Sequence, residues 1–229
     1  MPEQPASPAV CYLCGQPITP PTSRDHIPPL QFFAPAVRKK HNLAKLLTTR
    51  VHQQCNKSYQ SDEDYLVYTL LGFVRGSEAG NALYDHILAK YRQGESVTLV
   101  RKVLAEFEDR PGGLALGGNQ LKKIYEGERI RRVAWKIVRG LYFHRTGKLL
   151  LENLTVSVKI IHPGESAPEH FIEFRDMPGN DELGHYPGVF AYRFQISPEA
   201  ENAQYQRGDR KYDKDRQRHF CCTCQLCPG

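Results

Sequence analysis

Cys11-Tyr12-Leu13-Cys14-Gly15 at one end and His52-Gln53-Gln54-Cys55-Asn56 at the other enclose the stretch that decides the fold. Each end carries a pair of metal-ligand residues with two residues between them, the half-site spacing of a structural zinc site. Cys11, Cys14, His52 and Cys55 together make a closed tetrahedral set, and closed sets hold structure rather than catalyse. A zinc ion bound there is worth about 10–16 kcal/mol, enough to fold a module with little core of its own. Between the halves, Arg24-Asp25-His26-Ile27 reads as a short strand of a hairpin, ended by Pro28-Pro29. Asp25, His26 and Asn56 add an acid, an imidazole and an amide, donors for a second, reactive metal ion.

Composition sets the frame around this stretch. A chain of 229 residues, 40% hydrophobic and 24% charged, can bury one core plus a small metal-supported module. No apolar run approaches the roughly 20 residues of a membrane helix. Met1 to Val10 has neither a basic nor an apolar run and reads as a flexible lead-in, not a secretory signal. The expectation is a soluble cytoplasmic protein with no membrane partner, in which paired cysteines hold metal rather than form disulfides. The net charge is +6, and its distribution is uneven. No acidic residue lies between Asp25 and Asp62, where Arg38, Lys39, Lys40, Lys45, Arg50 and Lys57 fall. That run is expected to bind nucleic acid, because basic residues beside a metal site attract a polyanion and release its counterions. A second basic stretch, Lys122 to Lys148, reads equally as a polyanion surface or as a solvated helix face.

These elements, in this order, resemble a zinc-stabilised HNH endonuclease module over residues 11–66: Cys11-x2-Cys14-Gly15, Arg24-Asp25-His26-Ile27-Pro28-Pro29, Asn42-Leu43, His52-x2-Cys55-Asn56-Lys57 and Ser61-Asp62-Glu63-Asp64-Tyr65. The resemblance implies a treble-clef-like ββα-metal unit, two strands and a helix around a catalytic ion. It implies His26 as general base, Asp25 and Asn56 as ligands of Mg²⁺ or Mn²⁺, and Asn42 as the residue that orients the base. Two positions depart from the usual pattern: the second zinc pair is His-x2-Cys rather than Cys-x2-Cys, and the last motif residue is Asn rather than His. The chemistry suits the residue types, since phosphodiester hydrolysis needs a water made nucleophilic near neutral pH and a cation for the developing charge. On a regular strand Asp25 and His26 project to opposite faces, so their convergence on one ion requires a twist or bulge. Asn42 reads equally as a turn residue, and Asn56 also as a helix-start hydrogen-bonding residue. A non-catalytic zinc module that binds nucleic acid or a protein partner is the alternative to the nuclease, for which DNA is preferred over RNA. A homo-oligomer stays open in either case.

The expected fold class is α+β: the zinc module (11–75), a helical and antiparallel-sheet domain (76–198), and a charged, Cys-rich tail (199–229) after the lead-in (1–10). Helical spacing predicts helices capped by Ser61, Ser77 and Ser96, and a fourth from Leu121 to Thr146. Alternation predicts strands at Leu154–Ile160 and Val189–Ile196. The glycines of 112–118 lack the Lys-Ser/Thr of a phosphate loop. In the tail, Cys221, Cys222, Cys224 and Cys227 could hold a second zinc or be inert thiols.

Overall fold

The computed structural model describes residues 9–43, 46–108, 122–150, 166, 169, 172, 183–186, 189–196 and 220–226. The class is α+β, mixed helices with small antiparallel sheets. Strand β1 (Thr22–His26) pairs antiparallel with β2 (Thr48–His52), aligning Arg24 with Arg50 and Asp25 with Thr49 without any shift of register. A tight hairpin turn does not join them. Instead a 3₁₀ turn (Leu30–Phe32) and helix α1 (Pro35–Lys40) fill the connection, burying Phe32 and Val37.

Helix α2 (Gln53–Leu70) follows β2 directly, with His52 at its N-cap. The expected cap at Ser61 is therefore nine residues late. Ser61 sits in the middle of α2 because the run from Gln53 to Gln60 contains no Gly or Pro to interrupt a helix begun at the second ligand pair. Helix α3 (Glu78–Arg92) starts as read, with the Ser77 hydroxyl accepting from the Gly80 N–H at 2.9 Å. Helix α4 (Val97–Ala105) follows Ser96, which adopts a positive φ of 56° and makes no side-chain cap. Two residues from each flank of the glycine-rich segment, β3 (Phe107–Glu108) and β4 (Lys122–Lys123), pair antiparallel. Helix α5 (Gly127–Thr146) therefore begins six residues later than predicted.

One hydrophobic cluster runs from Cys11 and Tyr12 through Val51, Tyr65, Leu83 and Val133 to Phe190, so the core continues across residue 75. Helix α5 supplies much of that continuity. Its face Arg129, Arg132, Lys136, Gly140 and Phe143, spaced by three or four residues, meets α2, Ile27 and the segment around Tyr12. The Phe143 ring stacks on Tyr12 at 6.0 Å between centroids. A Cβ added to Gly140 would lie 2.6 Å from Ile27 Cδ1, so this position is glycine because α5 approaches the end of β1 so closely.

A three-stranded antiparallel sheet, β5 (Leu183–Tyr186), β6 (Phe190–Ile196) and β7 (Phe220–Leu226), completes the described fold. Phe190 anchors it, with its ring 6.4 Å from Phe32. Strand β7 lies within the expected tail. Phe220, Cys222, Cys224 and Leu226 recur at every second position, a strand period masked when the cysteines are read only as ligands. The metal reading of the four tail cysteines, the strand predicted at 154–160, Lys45 and the glycine-rich segment fall outside the described side chains.

Candidate functional site

Cys11, Cys14, His52 and Cys55 come together with their ligand atoms all within 4.8 Å of one another. The local chain explains why. Cys11 and Cys14 sit on a tight turn closed by Gly15 N–H to Cys11 O at 2.8 Å and Cys11 N–H to Gln16 O at 2.9 Å. Gly15 takes the left-handed φ of 74° that this turn needs. His52 ends β2 and Cys55 lies on the first turn of α2, so the strand-to-helix junction presents the second pair. The imidazole Nδ1 faces the sulfurs, 3.3 Å from Cys14 Sγ and 3.9 Å from Cys55 Sγ. Nε2, on the far side of the ring, lies 3.0 Å from Pro17 O and 3.1 Å from the Thr19 backbone N, so the backbone of residues 17–19 holds the imidazole with Nδ1 towards the sulfurs.

The electrostatics of the three thiols call for a cation. Burial works against the Cys11 thiolate, but hydrogen bonds from the His52, Leu13 and Cys14 backbone hold its pKa below the ordinary thiol value. Cys55 goes the other way, pushed up to about 12 by burial and then by the neighbouring Cys14 and Cys11. Three thiolates cannot crowd together without a positive charge among them, which a metal ion held by the four residues would supply. The donor set and spacing fit structural zinc. All three cysteines are free thiols.

Asp25 does not fit a Mg²⁺ or Mn²⁺ site. Its carboxylate is buried, accepting from the Tyr12 hydroxyl on one oxygen and from Lys136 Nζ at 2.6 Å on the other. Lys136 also donates to Glu63, whose second oxygen accepts from Gln31 Nε2 at 3.1 Å. The regular register of β1 and β2 offers no bulge to turn Asp25 towards His26, so the two adjacent side chains stay on opposite faces. Burial raises the Glu63 pKa against the pull of Lys136, and burial followed by the Asp25 charge raises that of Tyr12. An ammonium therefore occupies the Asp25 carboxylate that the resemblance, with Asn56, gave to a divalent ion.

The other expected site residues separate. His26 is half-buried, and its pKa is lowered by burial, with Arg38 and Lys136 adding to the effect and Asp25 opposing it; the imidazole is neutral at pH 7. Asn56 spans α2 and β1, donating through Nδ2 to Ser23 Oγ at 3.2 Å. Asn42 lies exposed beyond α1 with φ of 48°; its own N–H reaches Lys39 O, and Leu43 N–H reaches Arg38 O at 2.9 Å. That pair of bonds is a Schellman stop, so Asn42 ends a helix rather than orienting a base. Among the described residues, no other group of three or more His, Cys, Asp or Glu side chains gathers as a metal site.

The basic residues divide in the same way. Lys39, Lys40, Arg50 and Lys57 are exposed and Arg38 is partly so, with Lys40 paired to Glu78. Part of the second basic stretch is turned inward, while Lys122, Arg131, Arg145 and Lys148 are exposed. Arg129 and Arg132 grip Asp62 at 2.7 and 2.5 Å, Arg132 lies over the Tyr59 ring at 4.3 Å, and Lys136 is buried. Sequence reading missed this network, because its partners lie 67 to 111 residues apart in sequence. The available signal was the three-and-four spacing of Arg129, Arg132 and Lys136 opposite an acidic run, Asp62-Glu63.

No protein-family model, curated protein or solved structure matches the chain. Among the described residues, no helix is long and apolar enough to cross a membrane.

Proposed function

We propose that this chain is a zinc-stabilised nuclease that hydrolyses phosphodiester bonds, in DNA in preference to RNA, on a treble-clef-like ββα module. The reading is carried by His26, an imidazole kept neutral by burial on a strand whose partner ends in the zinc ligand His52. A neutral imidazole accepts a proton from water, the water oxygen attacks phosphorus, and the leaving oxygen departs with a proton from solvent. The zinc ion braces the hairpin and takes no part in this step. No step passes through Asp25, whose carboxylate is committed to Tyr12 and Lys136.

That same commitment favours a second reading, a non-catalytic zinc module that binds nucleic acid or a protein. Plasmid nicking by the zinc-loaded protein, with and without added Mg²⁺ or Mn²⁺, separates the two when wild type is compared with His26→Ala. The nuclease reading expects a loss of about 10²-fold or more in the variant with its zinc retained. Equal nicking by both proteins, or none by wild type on DNA and RNA, overturns it.

A further inference from the structure

We infer that the outer face of the β1–β2 pair is a phosphate clamp, in which Arg24 and Arg50 together grip a backbone phosphodiester of nucleic acid beside His26. This rests on the hydrolase reading for its purpose but stands on separate observations. The register sets Arg24 directly opposite Arg50, so both guanidinium groups leave the same face of the sheet. Like charges directly opposite destabilise a strand pair, and among the described residues neither arginine has a carboxylate within ion-pair distance. Arg129 and Arg132, by contrast, converge on the carboxylate of Asp62, whereas the Arg24–Arg50 pair is open to an external anion.

The surroundings suit phosphate. Arg24 and Arg50 line a shallow cleft of about 600 Å³ with Thr22, Ser23 and Thr48, of which Thr22 and Thr48 share the arginines' face and carry hydroxyls that can donate to phosphate oxygens. Arg50 Nε donates to Thr22 Oγ1 at 3.3 Å, which orients the guanidinium while leaving its terminal nitrogens for the ligand. His26 lies two residues along β1 on this same face, a separation of roughly 7 Å at the backbone. A phosphate held by both forks therefore sits within reach of a water on the imidazole, and the guanidiniums take the charge that develops on its oxygens.

The test is anisotropy of a fluorescein-labelled 20-base-pair DNA duplex, and of a single-stranded RNA of equal length, over a salt series. The proteins are zinc-loaded wild type, Arg24→Ala/Arg50→Ala, and Arg92→Ala/Arg101→Ala, which removes the same charge from exposed positions on α3 and α4. The clamp expects the first double variant to bind about tenfold or more weakly, with the slope of log affinity against log salt reduced by about 2. The control should keep nearly the wild-type slope and affinity, and zinc content should be one per chain throughout. A larger loss on RNA than on DNA keeps the clamp and assigns RNA as its ligand. Wild-type affinity and slope in Arg24→Ala/Arg50→Ala, or no binding by wild type, overturns it. Plasmid nicking on the same samples keeps the two readings apart. Arginine-dependent binding without nicking retains the clamp and removes the hydrolase, whereas nicking with unchanged KM in the double variant does the reverse.

Discussion

The two faces of the β1–β2 pair carry the same kinds of charged group and treat them in opposite ways. On the inner face, Asp25 and Glu63 share one ammonium, Lys136, and the Tyr12 hydroxyl donates to Asp25, so each of these groups is partnered inside the protein. On the outer face, Arg24 and Arg50 confront each other with no acid among the described residues. The inner face trades desolvation for a unique docking of α5, and the outer face accepts repulsion that an anion would relieve. Charge near a metal motif is thus structural on one side of a strand and available for binding on the other. The alternation of a regular strand is what separates the two roles.

The largest effect should come from removing what both faces share. Loss of zinc, by chelation or by Cys55→Ala, forfeits about 10–16 kcal/mol of binding energy and should unfold the hairpin, measured by loss of dispersed amide resonances. Because Cys55 holds its proton up to about 12 without metal, zinc uptake should release protons and tighten as pH rises, checked by titration calorimetry in two buffers. Breaking the inner face alone is next. Lys136→Met leaves Asp25 and Glu63 buried without their cation and should cost about 3–5 kcal/mol in urea unfolding. If it costs less than 1 kcal/mol, the inner face is not the rigid half of the comparison.

Gly140→Ala is a gentler wedge in the same interface. The added methyl meets the buried Ile27 side chain and should cost about 1–3 kcal/mol while leaving duplex binding intact in the folded protein. The outer face should respond with the opposite sign: Arg50→Thr relieves the like-charge pair and should stabilise the fold by about 0.2–1 kcal/mol while weakening nucleic-acid binding. The smallest effect belongs to His26. Its folded pKa lies below the ordinary 6.5, so between those values the unfolded chain binds a proton that the native state does not. Stability is then complete above about 6.5 and falls as pH drops towards the folded value. In the nuclease reading, the acid limb of a cleavage profile should also inflect below 6.5.

How much of this could be read from residues alone depended on how local each cause was. The Cys₃His group, able to hold a metal ion, was readable because ligand type and spacing are properties of short segments, and β1, α3 and β6 followed from local pattern and turn chemistry. Asp25 was not, since nothing near it in sequence announces that Lys136 will cap it from 111 residues away. Asn42 was readable in kind, as a residue that tolerates a positive φ, but its role needed the two backbone bonds that close α1. Arg24 was overlooked as a binder because its partner in charge is across the sheet rather than along the chain.

The distance between Asp25 and Lys136 has a further consequence for the order of events during synthesis. At roughly 5–20 residues per second, the lysine leaves the ribosome several seconds after the aspartate. Through that interval the four Cys and His residues are already available to a metal ion, with Asp25 and Glu63 open to solvent cations. Arrival of α5 replaces those ions with a tethered ammonium, so completing the chain is what removes the carboxylates from solution chemistry.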